Sequence, residues 1–227
     1  MRFKLIIFIF LIITGLLNAQ IDSTKQKGYL EDQIYIGLSY IILDNQTDGV
    51  NQNGFSNSLY LGFIKDLPTT VKGNFSFGVG LGYGRNTYFQ NIQIIKNKNN
   101  SNFTLLDDSV SFKTNKFSLH NIEIPLEIRW RTSTIDKYKF WRVYAGAKLS
   151  YAFGTNTKFK TDNDKIKFNN ISEIHKFQYG LTLAVGYGTW NFNFYYGLSD
   201  IFKNAALEDG TSLKMKDFRI GLIFYIL

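Results

Sequence analysis

Phe75-Ser76-Phe77-Gly78-Val79-Gly80-Leu81-Gly82-Tyr83-Gly84 alternates without a fault, with apolar side chains at the odd positions and only Gly or Ser at the even ones. Side chains on a β-strand point alternately to opposite faces, so this stretch is a strand with one greasy and one nearly bare face. A water-facing surface would carry Lys, Glu and Thr there. Glycine suits a face turned into a narrow barrel, whose interior barely holds side chains.

The period of two recurs on both sides of this segment. Ile34, Ile36, Leu38, Tyr40 and Ile42 share a face, as do Leu59, Leu61 and Phe63. Ile122 to Trp130 alternates with Glu123, Pro125, Glu127 and Arg129; Trp141 to Phe153 alternates with Arg142, Tyr144, Gly146, Lys148 and Ser150. Similar runs end on Tyr187, Leu198 and Ile226. The spacing predicts eight strands, at 33–43, 57–65, 74–89, 116–131, 140–154, 175–188, 191–200 and 215–227, with no helical period after residue 20. The connections after the even strands are short. Those after the odd strands are long, above all 90–115 and 155–174, which read as Asn- and Lys-rich loops. Short turns at one rim and long loops at the other define an antiparallel up-and-down barrel.

Composition narrows the class. The 227 residues contain no cysteine, which excludes a disulfide scaffold, a thiolate metal site and an N-terminal lipidated cysteine. At 44% apolar residues the chain is not disordered. Arg2 and Lys4, then the apolar run Leu5–Leu17, then Ala19 read as a cleavable signal peptide over 1–19. Residues 20–32 would form a periplasmic N-terminal segment and 33–227 the barrel domain. Losing Arg2 and Lys4 takes the net charge from +8 to +6. This charge reads as scattered solubility charge, without the clustered stripe a nucleic-acid partner would need.

Alternation alone does not say which face meets water. An apolar interior would give a soluble lipocalin-like barrel for an apolar ligand; an apolar exterior gives a transmembrane barrel. The second fits better. Opposite charges on neighbouring strands (Glu123, Glu127 and Arg129 against Arg142 and Lys148) could pair inside a lumen. Lys148 is expected opposite Glu123, and Arg142 diagonal to Glu127. Tyr83, Trp130, Trp141, Tyr151, Phe153, Tyr187 and Phe192 cluster at apolar strand ends, where aromatic rings favour the headgroup level. Nine residues at about 3.3 Å each, tilted by about 40°, give roughly 23 Å of height, close to the apolar band of an outer-membrane barrel. With Tyr195 and Arg219 added, those charges should plug the lumen; a narrow pore is the alternative. Pro125 cannot donate to a ladder, so a bulge is expected near 123–126.

Catalytic and metal chemistry is thin. His120 and His175 lie at strand starts and read as solvent-facing rim residues. Ser118 and His120 share a face, with Asp107 and Asp108 upstream, but no Gly-x-Ser-x-Gly elbow occurs. Asp162-Asn163-Asp164 begins like a calcium loop, yet Lys167 stands where the turn needs Gly. No enzyme, metal or cofactor site is expected.

Near the chain end Arg219, Gly221, Phe224 and Ile226 read polar-x-Gly-x-x-aromatic-x-apolar. This resembles the terminal signal by which barrel-assembly machinery recognises its clients, which that likeness implies as a partner beside outer-membrane lipid. The exported start, the Phe75–Gly84 strand, Ile122-Glu123-Ile124-Pro125-Leu126 and the Gly-rich later strands resemble PorT-family outer-membrane β-barrels. The resemblance spans the mature chain mostly as pattern. It implies a small eight-stranded barrel in the outer membrane of a diderm bacterium. It also implies envelope or secretion-complex proteins as partners, and it brings no catalytic residues.

Overall fold

A computed structural model describes residues 32–44, 47–70, 73–97, 100–107, 109–132 and 140–226. The expected signal peptide and nearly all of the N-terminal segment lie outside these residues. Eight long strands form the wall: β1 (Gln33–Asp44), β2 (Asn57–Pro68), β3 (Phe75–Phe89), β6 (Thr114–Arg131), β7 (Trp141–Lys160), β9 (Phe177–Tyr187), β10 (Trp190–Gly197) and β11 (Lys216–Ile226). Three short strands lie between them: β4 (Ile92–Lys96), β5 (Ser101–Leu105) and β8 (Lys165–Asn169). Each wall strand pairs antiparallel with its neighbours, and β6 pairs β7 where β11 pairs β1 on the far side, so the sheet closes. Closure leaves no free edge among the eight.

The apolar face points outward. Phe77, Leu81, Ile128 and Leu181 are each more than half exposed, whereas Glu123, Arg129 and Asp66 have no exposed surface. This arrangement excludes a soluble carrier, which would hide the first set and wet the second. Aromatic rings form two girdles. Trp141 packs on Tyr187 (5.4 Å between centroids) and Trp190 on Phe224 (5.5 Å) at the short-turn end; Tyr83, Phe153, Tyr151 and Phe177 gather at the other. Inside, the bare strand faces admit large rings. A Cβ on Gly82 would lie 2.1 Å from the Tyr35 hydroxyl, and one on Gly37 would lie 2.2 Å from the Tyr60 ring.

Three expectations need correction. No bulge lies at Pro125. Val79↔Leu126 and Gly82↔Glu123 keep one register on the β3 side, and Pro125↔Lys148 is regular on the β7 side. The ladder merely skips Gly80 and Leu81 opposite the missing N–H. The bulge falls between His120 and Asn121, which oppose Gly154 and Ala152 and leave Phe153 over. Second, the β6–β7 register is two residues from the expected one: Glu123 faces Ser150, and Arg142 faces Arg131. Third, 90–115 and 155–174 are not open loops. They contain the β4–β5 hairpin and an extension of β7 paired with β8.

Candidate functional site: the filled lumen and its cap

The lumen is built from inward positions of the eight strands, and at membrane height it is charged. Asp66 on β2 accepts hydrogen bonds from Arg129 Nη1 (3.1 Å), Arg131 Nη2 (2.7 Å) and Ser76 Oγ (2.7 Å). Arg129 also donates to Gln33 Oε1 (2.6 Å) and, through Nε, to Glu127 Oε2 (3.1 Å). Its guanidinium lies 4.3 Å from the Tyr144 ring centroid. Higher up, Lys148 Nζ sits 2.9 Å from Glu123 Oε2 and 4.6 Å from the Tyr60 ring. Arg219 donates to Asp217 Oδ2 (2.7 Å) and Asn86 Oδ1 (3.1 Å), covers the Tyr195 ring at 4.3 Å, and approaches Glu123 Oε1 at 3.9 Å. Tyr88 donates to Asp217 as well.

Of the residues singled out from the sequence, Glu127 and Arg129 thus belong to one group of contacts, and Glu123, Lys148 and Arg219 to a second above it, with Tyr195 against the second. Glu127 pairs with Arg129 rather than Arg142. Arg142 donates to the Gly188 carbonyl at the short-turn rim and stacks 4.1 Å from Phe140. Asp66, Arg131, Asp217, Gln33 and Asn86 escaped the sequence reading. Asp66 lies just past the expected end of its strand. Asp217 had a legible signal, since it sits two positions before Arg219 and shares its face.

Above this network the interior changes character. Ile41, Leu43, Tyr88, Phe117, Leu119 and Ala152 of the wall are buried with Ile92, Ile94, Phe103, Ile174, Phe202, Leu207 and Leu213 from the connections. Phe202 stands edge-on to Phe103 (5.4 Å) and against Phe117 (5.3 Å). Polar ties cross between the connections. Lys96 Nζ donates to the Asn169 and Asn170 carbonyls (2.9 Å each), Ser101 N to Glu173 Oε1 (2.9 Å), Thr104 Oγ1 to Glu208 (2.7 Å) and Thr47 Oγ1 to the Ser212 carbonyl (3.0 Å). All four long connections therefore meet in one cap over the mouth. Burial alone would raise the Glu173 pKa, but hydrogen bonds led by those from Ser101 hold it below the usual carboxylate range.

His120 sits in an ordinary setting, whereas the Nδ1 of His175, expected to face solvent, is buried without a hydrogen-bond partner. His120 Nδ1 is 2.7 Å from Tyr83 OH, and its Nε2 is 3.1 Å from Asn156 Nδ2. Ser118 Oγ is paired with Thr87 Oγ1 (3.0 Å) instead. Asp162 is ion-paired with Lys113. Among the described residues no three His, Asp or Glu side chains form a metal-binding group.

On the last strand, Gly221 lies opposite Ser39 of β1 and Asn193 of β10. A Cβ there would come 2.1 Å from the Leu38 carbonyl, so only glycine fits this seam. Phe224 and Ile226 alternate with the buried Ile223 and Tyr225, and so face outward.

A closed eight-stranded wall, greasy outside and charged within, matches one family in sequence as well. The model of the outer membrane protein beta-barrel domain matches residues 18–203. The chain belongs to that family. It is an integral barrel of the outer membrane, with its short turns on the periplasmic side and its cap on the extracellular side. No curated protein matches the sequence. A similar solved structure is Ail, the attachment invasion locus protein of Yersinia pestis. It is 11% identical, with 86% of this chain and 97% of that chain covered, at a TM-score of 0.37.

Proposed function

We propose that this barrel is a closed, non-enzymatic envelope component that works by binding a partner through its cap or its periplasmic rim. One observation supports this reading above the rest: the lumen is obstructed twice, by the Asp66–Arg129–Arg131 and Glu123–Lys148 ion pairs and again by the apolar cap. Such a barrel offers a solute no continuous watery path, so its accessible surfaces are what remains for function. Planar-bilayer recording tests it. The purified protein should show no steady conductance, and removal of 92–105 should not by itself create one, because the ion pairs still fill the bore. Steady ohmic current through the intact protein, lost on charge reversal at Arg142, would establish a pore instead.

The resemblance to PorT-family barrels favours a partner in an envelope or secretion complex. Co-purification from gently solubilised envelopes should recover a reproducible companion. Export through residues 1–19 and delivery to the assembly machinery through Gly221, Phe224 and Ile226 complete the reading. Phe224→Ala should lower the amount of folded barrel in the membrane without changing export.

A further inference from the structure

The positive charge is not scattered. Arg85 on β3, Lys116 on β6, Lys158 and Lys160 on β7, and Lys165 and Lys167 on β8 lie on the outward side of adjoining strands. Lys116 is directly opposite Lys158, and Lys158 directly opposite Lys167; Lys160 is directly opposite Lys165. Like charges facing one another across strands destabilise a sheet. Among the described residues none of the six forms an ion pair: of the neighbouring hairpin-tip carboxylates, Asp162 pairs with Lys113 and Asp164 with none of them. Lys116 instead rests over the Phe89 ring at 5.0 Å. The crowding is felt electrostatically, for Lys167, then Lys158, hold the Lys165 ammonium below its ordinary value.

The height of this field identifies its counter-charge. Arg85 lies two residues above the girdle residue Tyr83 and Lys158 five above Phe153. At about 3.3 Å per residue and a tilt of about 40°, these are roughly 5 Å and 10–13 Å beyond the apolar belt. A phospholipid headgroup layer occupies only about 5–8 Å on each side of the hydrocarbon. The upper lysines therefore stand above the reach of a phospholipid headgroup, at a height only a taller headgroup would share.

We propose that the β3–β6–β7–β8 face binds the phosphorylated sugar headgroup of an outer-leaflet glycolipid. Its acyl chains would lie along Ile122, Tyr151 and Phe153, and its phosphates against Arg85, Lys116, Lys158 and Lys167. The site faces the membrane and depends neither on the barrier in the lumen nor on any partner of the cap.

The test titrates bisphosphorylated lipid A into the detergent-solubilised full barrel and reads bound lipid by native mass spectrometry. Combining Lys116→Gln, Lys158→Gln and Lys167→Gln should weaken binding roughly a hundredfold, at about fivefold per lysine, while Lys214→Gln should leave it unchanged. Dephosphorylated lipid A should bind the unmodified protein as poorly as lipid A binds the triple variant. Unchanged affinity in the triple variant, equal binding of the dephosphorylated lipid, or equally tight binding of free inorganic phosphate would each overturn the proposal. In phosphatidylcholine vesicles alone the triple variant should melt at the same temperature or higher, since a repulsion is gone. A lower melting temperature would make the lysines structural and overturn it too.

Discussion

At the height of Asp66 the inside of the barrel is guanidinium, carboxylate and phenol; at the height of Leu119, ten residues along β6 from Arg129, it is aliphatic and aromatic. The outside changes in the opposite sense. Beside the charged lumen the wall shows Ile128, Leu126 and Phe77 to lipid. Beside the apolar cap it shows Arg85, Lys116 and Lys158 to water. Each level obeys the rule of its own solvent: in lipid the polar groups turn inward and must satisfy one another, and above the membrane the apolar groups turn inward as in any water-exposed domain. One protein thus carries two folding regimes on a continuous set of strands.

The sharpest way to break the lower regime is to remove its acceptor. Asp66→Ala leaves Arg129 and Arg131 buried without their shared carboxylate and should cost about 3–5 kcal/mol. Urea unfolding in micelles, followed by heat-modified gel mobility, would read it. The upper regime should yield differently. Phe103→Ala empties a packed apolar position and should cost about 3–4 kcal/mol, but locally. Hydrogen exchange should quicken over 92–105 and 200–213 while the wall strands keep their protection. Global unfolding in that variant would show that the cap and wall are one cooperative unit.

Subtler experiments sharpen the contrast. A double-mutant cycle on Glu123→Gln and Lys148→Met should return a coupling of about 1–3 kcal/mol, because the pair is shielded from water. The same cycle on the exposed Lys65–Asp32 pair should give under about 1 kcal/mol. The smallest effect concerns acidity. The folded-state pKa of Glu173 is depressed, so its tie to Ser101 is fully present above the ordinary carboxylate pKa and is lost as pH falls through the folded value. Exchange at 101–105 should therefore accelerate below about pH 4, and Glu173→Gln should remove that acid response.

The lipid-facing half was legible in the sequence because its period of two is unbroken: Phe75–Gly84, Ile122–Trp130 and Trp141–Phe153 needed only counting. The cap was not, for two physical reasons. Ile92, Ile94 and Phe103 sit in short runs among Asn and Lys, and no local period distinguishes them from loop. The second reason is the bulge at Phe153. One extra residue flips the faces of everything beyond it, so Lys158 and Lys160 face out while Thr157 and Phe159 turn in. A strict alternation therefore ends at residue 154, although β7 continues to Lys160. The lysine row was hidden by the same slip, since its members lie on three strands and come together only through register. Within the lumen, Glu123, Lys148 and Arg219 were readable as inward charges, but their partners required the pairing itself.

The closure of β1 on β11 carries a consequence for biogenesis. The first and last wall strands meet along eleven register pairs, from Ile34↔Ile226 to Asp44↔Lys216, so no nascent fragment owns a complete set of neighbours. Contacts this remote in sequence make folding slow. The ring is complete only when the first and last wall strands reach the same place.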